Sequence, residues 1–379
     1  MKIFLSFLQS TIQHPVPAYD FWQYYVKNGI EEAGYEWTEC PDADWALGLV
    51  PQTPEKRSEW KERVWSQTIS WLRSNPVDLF LSYLYPEQIE TSAINEIKRM
   101  GIPCVNFYCD NIRQFGEAPK EFSVFDLNWV PEFKAIKLYQ KAGYRYINLP
   151  MPMWIEPNKR MVHAEANNQI TFIGSKDIQR TLFFEKVVKQ CPSINLYIYG
   201  NGWKDVPQYT GRTESGFNKI GYQFSFIKQH GLIPYLRKIK QRNLNTDISE
   251  ALRFKVNNIT DFENYNKLTA ESMVTVGINR YPSYRYPLFK PDTYSRLRDI
   301  EAPMLGACYL TEYTEGLEYL YDIGKEIETY TSTEDFIEKV SMLTANTNLR
   351  QRLKVNGQKR AVSTHNIQNS ISQIIQRLI

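Results

Sequence analysis

No CxxC pair occurs in the 379-residue chain, and its five cysteines, Cys40, Cys104, Cys109, Cys191 and Cys308, are odd in number and scattered. Neither a disulfide framework nor a zinc ribbon is supported, and a reducing compartment, the cytoplasm, is the expected home. Histidine is scarcer still: His14, His163, His230 and His365 lie too far apart along the chain to read as a metal cluster, so no metal site is expected. There is no GxGxxG after an expected strand and no GxxxxGK[ST], which removes the dinucleotide fingerprint and the P-loop; HExxH and GxSxG are missing as well. Nowhere do about 18 consecutive apolar residues occur, so no membrane-spanning helix is expected. The apolar run 2–8 gives way to Gln9, Ser10 and Thr11 before it reaches the length of a signal-peptide core, and it reads as a first buried strand.

An excess of one charge is lacking too. The 45 Lys and Arg stand against 42 Asp and Glu, a net +3, too balanced for a nonspecific nucleic-acid binder, and no specific nucleic-acid partner is expected. Locally the balance breaks. Residues 1–165 carry 17 basic and 21 acidic side chains, whereas residues 166–379 carry 28 and 21, so the second half is the better host for an anion.

What is present is a recurrence of short β-rich apolar runs between helical stretches, the pattern of βα units that build mostly parallel sheets. Strands are expected in the first half at 2–8, 46–50, 79–84, 104–108, 127–130 and 146–149. Helices are expected at 58–73, where Trp60, Val64, Trp65, Ile69 and Leu72 recur at helical spacing before Pro76, and at 91–100, closed by Gly101 and Pro103. Pro150, Pro152 and Pro157 then discourage regular structure, and 151–168 reads as a linker. Beyond it, strands are expected at 170–173, 196–199, 273–278, 307–310 and 327–330, with helices at 180–189, 333–343 and 368–378. The implied architecture is α/β: two Rossmann-like domains, 1–150 and 169–365, facing a cleft, with a C-terminal helix at 366–379.

A helical basic insertion at about 215–255 interrupts the second domain. Its 215–246 stretch holds six Lys and Arg and no acid, among apolar residues that include Phe226, Leu232, Ile233, Leu236 and Ile239. Two readings stand: a helix packed on the second domain with its basic edge in water, or, over 219–242, a peripheral contact with an anionic membrane.

The segment most informative about chemistry is 298–312, RDIEAPMLGACYLTE, followed by GKEIETY. Arg298 and Glu301, three apart, share one helical face, and Gly306 ends that helix before the strand at 307–310. Such a pair at a cleft neutralises a phosphate and hydrogen-bonds a ribose; on an ordinary surface it is a plain ion pair.

Together with the Arg-rich stretch 349–360 and His365, this segment resembles the C-terminal signature of glycosyltransferases of the spore-maturation CgeB type, themselves similar to family 1 glycosyl transferases of the GT-B fold. The resemblance continues through ITDFENY at 259–265, 274–282, FIGS at 172–175 with Arg180, and YGNGW at 199–203, and it covers most of 169–365 outside the insertion. It implies a GT-B-like enzyme that moves a sugar from a nucleoside-diphosphate-sugar donor to a hydroxyl acceptor (a glycan, a protein, a lipid-linked sugar or a small molecule) with no tightly bound metal or cofactor. On that resemblance Glu301 serves the ribose and Arg298 the diphosphate, Gly174 and Ser175 offer backbone N–H groups with Arg180 on the next helix, and Gly200 and Trp203 border the base. More distant relatives carry a further Glu where this chain has Thr293, so the resemblance does not extend to the donor hydroxyls or to the stereochemical outcome.

On the acceptor side, His14 after the first strand and Asp110 after the fourth resemble the His and Asp dyad of inverting GT-B enzymes, with His14 as general base. Phe21, Trp22, Tyr24 and Tyr25 are either a sugar-stacking platform or helical core. Two other functions remain open: a nucleotide-sugar epimerase of the same fold, which releases a free sugar, and a bilobed protein that binds a small ligand without chemistry.

Overall fold

The computed structural model describes the chain apart from residues 11, 13, 15–20, 164–166, 205–222, 224–225, 228–229, 243, 245–246, 259–260 and 379, so part of the insertion expected at 215–255 lies outside the described residues. Two compact units form: Met1–Trp154 with Thr364–Ile379, and Ile155–Ser363. The first unit thus runs a few residues past the expected boundary at 150 and takes in the C-terminal helix, while 155–168, expected as linker, belongs to the second.

The first unit is a six-stranded parallel sheet of β1 (Lys2–Ser6), β2 (Glu36–Thr38), β3 (Leu79–Ser82), β4 (Cys104–Phe107), β5 (Leu127–Trp129) and β6 (Tyr146–Ile147), in the order β2-β1-β3-β4-β5-β6. Helices follow the strands: α1 (Asn28–Glu32), α2 (Pro54–Ser74) and α3 (Thr91–Arg99) among them. Because crossover helices cover both faces of such a sheet, its strands bury successive residues rather than alternate ones, and LFLS and CVNF are buried throughout. α2 starts where Thr53 accepts the Lys56 N–H and Pro54 occupies the first turn, and it buries Trp60, Val64, Trp65 and Leu72 as the periodicity predicts.

One expected strand is not a strand. Residues 46–50 form the 3-10 turn Ala46–Leu49, and the second strand is Glu36–Thr38. The Asp44 carboxylate accepts the Leu47 N–H at 3.0 Å, so a local side-chain bond takes up a donor that a strand would have to pair. Gly48 sits against Trp60, whose ring a Cβ would meet at 2.3 Å, and that close approach fixes the turn.

The second unit repeats the plan with β7 (Ile170–Ile173), β8 (Leu196–Tyr199), β9 (Val274–Gly277), β10 (Tyr309–Glu312) and β11 (Glu328–Tyr330), ordered β11-β10-β9-β7-β8 and parallel throughout. Its helices include α4 (Ile178–Gln190), α5 (Leu232–Arg242), α6 (Phe262–Glu271), α7 (Arg298–Met304) and α8 (Thr333–Ala345). β10 lies two residues beyond the expected 307–310, which brings Glu312 to its carboxyl end. There Glu312 grips Arg280, just past β9, through Nε and Nη2 at 2.8 Å each. Strand order reverses between β1 and β3 in the first sheet and between β7 and β9 in the second, and open α/β sheets bind ligands at the carboxyl ends of strands flanking such a reversal.

The C-terminal helix Ile367–Leu378 returns to the first unit and buries Ile367, Ile371 and Ile374 on one face. It lies so close to α1 that a Cβ on Gly29 would stand 2.4 Å from the Ile367 side chain. Ile371→Ala is expected to cost about 2–5 kcal/mol. Urea unfolding followed by tryptophan fluorescence checks this, since eight of the nine tryptophans belong to the first unit; an unshifted midpoint would show that the helix is not part of that core.

Candidate functional site

At the end of β7 the chain turns through Gly174 and Ser175 into α4. The Gly174 N–H donates to Tyr199 O at 2.7 Å, and its carbonyl accepts the Trp203 indole N–H, also at 2.7 Å. Gly200, at φ +142°, makes this possible: a Cβ there would lie 2.3 Å from the Gly174 oxygen, so only glycine lets the two loops run backbone against backbone. Asp177 caps α4 by accepting the Arg180 N–H at 2.9 Å, and the Arg180 guanidinium folds back to donate to Ser175 O at 2.6 Å.

Across the strand reversal, α7 presents Arg298 and Glu301, and Asp299 between them is fully buried. Its carboxylate accepts from Asn279 Nδ2 (2.9 and 3.0 Å), Ser295 Oγ (2.9 Å), the Arg296 N–H (2.9 Å), Tyr309 OH (2.8 Å) and Thr311 Oγ1 (3.1 Å). Arg298 donates through Nη1 to Ile173 O, at the end of β7, and its guanidinium carbon stands 5.4 Å from the centre of the Tyr265 ring. Tyr265, on α6, donates its hydroxyl to Glu301 Oε2.

These elements enclose a cavity of about 300 Å³ at the carboxyl ends of β7 and β9, whose polar lining includes Gly174, Ser175, Arg180, Arg296, Arg298 and Glu301. Three guanidinium groups share it with one lining carboxylate. Burial pushes the Arg180 pKa down; Asp177 opposes the shift, and Arg296 and Arg298 add to it. Burial also works against the Arg298 charge, but Tyr265, Glu301 and Tyr309 outweigh it and hold that guanidinium above its ordinary value. The Tyr265 phenol is driven up chiefly by burial, with Arg298 pulling against the shift and Glu301 adding to it, so it remains a donor to Glu301. A cavity of this composition suits a polyanion that also carries hydroxyl groups.

Of the seven residues expected around a donor, five line one cavity: Gly174, Ser175, Arg180, Arg298 and Glu301. Trp203 does not border it. Its side chain is 2% exposed, packs edge-on against Phe184 and supports the Gly174 carbonyl; Gly200 supports the same loop, so both act behind the site. Arg296 and Tyr265 were not among the expected site residues. Arg296 precedes the helix and so shares no helical spacing with Arg298 and Glu301; Tyr265 lies 36 residues from its partner.

In the first unit His14 and Asp110 do not pair. His14 Nε2 is 2.7 Å from Asp44 Oδ2, with both side chains largely buried, and Asp110 faces Arg113 at 3.6 Å. Asp44 is therefore the carboxylate that orients His14, and the same carboxylate caps the 3-10 turn. Trp22 and Tyr25 are core residues, whereas Phe21 is 37% exposed. Among the described residues no three His, Cys, Asp or Glu side chains gather as metal ligands, and no helix is long and apolar enough to cross a membrane.

A family model described as glycosyl transferase-like matches residues 179–376, just over half of the chain. No curated protein matches it. Among solved structures the chain is similar to the sucrose-phosphate synthase tll1590 from Thermosynechococcus elongatus (12% identity, TM-score 0.59, 100% of this chain and 98% of that one). It is also similar to Alr3699/HepE of Anabaena in complex with UDP-glucose (11%, 0.56, 99% and 99%) and to a glycosyltransferase from Rickettsia africae (8%, 0.57, 100% and 97%).

Asp299→Ala is expected to strand its donors at about 1–3 kcal/mol for each one that finds no new partner. Thermal unfolding followed by circular dichroism reads the loss. A variant as stable as the wild type would mean that the network does not hold α7 in place.

Proposed function

The chain belongs to the glycosyl transferase-like family and has two parallel-sheet α/β units of the GT-B fold, and from that premise we propose that it transfers a sugar from a nucleoside-diphosphate sugar to a hydroxyl acceptor. The observation that carries the reading is the convergence of Arg180, Arg296 and Arg298 with Glu301 at the β7/β9 reversal. The diphosphate lies against the guanidinium groups beside the turn after β7, where the Gly174 N–H expected to meet phosphate is instead taken by Tyr199 O and the Lys176 N–H by Asn201 O, and Glu301, held by Tyr265, accepts from ribose hydroxyls. UDP-glucose in the HepE structure supports a UDP-sugar as the first donor to try. Within that family, the likeness of the motifs at 298–312 and 199–203 to the CgeB type supports that narrower reading.

As the bond from sugar C1 to the diphosphate oxygen breaks, negative charge grows on the leaving group, and the arginines already face it. We assign this role to them rather than to a metal ion. The acceptor oxygen bonds to C1 and gives up its proton to a general base, and in the first unit His14, with Nε2 against Asp44 Oδ2, is the residue we assign to that role. A glycan, a protein, a lipid-linked sugar or a small molecule could carry that hydroxyl.

Arg298→Ala is expected to lower turnover by about 10²-fold or more, and near-normal turnover would remove Arg298 from the site. His14→Ala and Asp44→Ala should each cost about 10²-fold or more, with Asp110→Ala close to wild type; the reverse order would restore Asp110 as the orienting carboxylate. EDTA should leave the rate unchanged. Product analysis separates the rivals: a glycosylated acceptor and free nucleoside diphosphate mark transfer, a free modified sugar marks epimerisation, and binding without turnover marks a ligand-binding protein.

A further inference from the structure

Helix α5 is inverted with respect to an ordinary packed helix. Its polar side faces the loop after β9: Arg237 Nη1 donates to Arg285 O at 2.6 Å, Gln241 Nε2 donates to Ser283 O at 3.0 Å, and Gln241 Oε1 accepts from Ser283 Oγ at 2.6 Å. Its apolar side faces solvent, with Leu232 57%, Ile233 63%, Leu236 55% and Ile239 41% exposed. The spacing of these four residues puts them on one stripe about a third of the way round the helix. An isolated exposed leucine needs no explanation, but a continuous stripe does. Lys240 and Arg242 are exposed beside it, and residues 215–246 contain six Lys and Arg without one Asp or Glu.

We propose that α5 docks the protein on an anionic lipid bilayer, its apolar stripe entering the headgroup region and Lys240 and Arg242 meeting lipid phosphates and acidic headgroups. Both features of the surface are then used: apolar area leaves water, and an acid-free basic segment meets negative charge. A second copy of the chain fits less well, because a symmetric contact would set the same basic segment against itself. The inference does not depend on the donor site, which lies on other elements.

The test uses the full chain, sedimented with vesicles of phosphatidylcholine alone and of phosphatidylcholine with about one-third phosphatidylglycerol. Binding to the anionic vesicles, little to the neutral ones, and loss in high salt are expected. The triple variant Leu232→Gln, Leu236→Gln, Ile239→Gln should bind at least about tenfold more weakly, and Lys240→Gln with Arg242→Gln should lose about fivefold per charge. All five side chains are exposed, so an unchanged circular dichroism spectrum and an unchanged melting temperature confirm that the variants fold. Wild-type protein that stays in the supernatant with anionic vesicles, or a triple variant that sediments like wild type, would overturn the proposal. So would a lipid-free dimer, seen by analytical ultracentrifugation, that the triple variant abolishes, because the stripe would then belong to a second copy.

Discussion

Asp299 holds the second unit's ligand side together. Its buried carboxylate accepts from the residue just past β9 (Asn279), from β10 (Tyr309 and Thr311) and from the loop entering α7 (Ser295 and the Arg296 N–H). A buried carboxylate is costly unless such donors surround it, and once surrounded it allows very few arrangements of the pieces that supply them. Arg296, Arg298 and Glu301 inherit their positions from this constraint, since one precedes and the other two flank the anchored residue. The ion pair between Arg280 and Glu312 braces the same strand ends from the other side.

The cavity that results has a surplus of positive charge, and burial of that charge is unfavourable until an anion arrives. The lowered pKa of Arg180 has this physical origin: water is partly excluded and two other guanidinium groups stand nearby. Under the proposed function, donors that already face the cavity would stabilise charge developing on a leaving group without first being brought into place. Tyr265 performs the same service for Glu301 by fixing one carboxylate oxygen.

Much of the fold was legible because buried parallel strands leave continuous apolar runs and amphipathic helices leave a 3.6-residue period; β7, β8, α2 and α8 fall where those patterns put them. Residues 46–50 misled because an apolar run has no preference between strand and turn once a neighbouring carboxylate caps a backbone donor. Cavity-lining residues were readable where they share a short segment, as Arg298 and Glu301 do. Partners joined only by folding were not: Asp44 reaches His14 across 30 residues, and Tyr265 reaches Glu301 across 36. Trp203 shows the converse: the family resemblance implied that it borders a base, and its indole instead holds the turn after β7 through the Gly174 carbonyl.

Nucleotide binding tests the central claim most directly. Thermal unfolding would be followed with UDP, GDP, ADP, CMP and dTDP, and with NAD(P), on the wild type and on Glu301→Ala. A ligand that binds only the native state raises the melting temperature. The account predicts that at least one nucleoside diphosphate does so and that Glu301→Ala loses the shift; no shift with any of them, or a shift with NAD(P) alone, would contradict it.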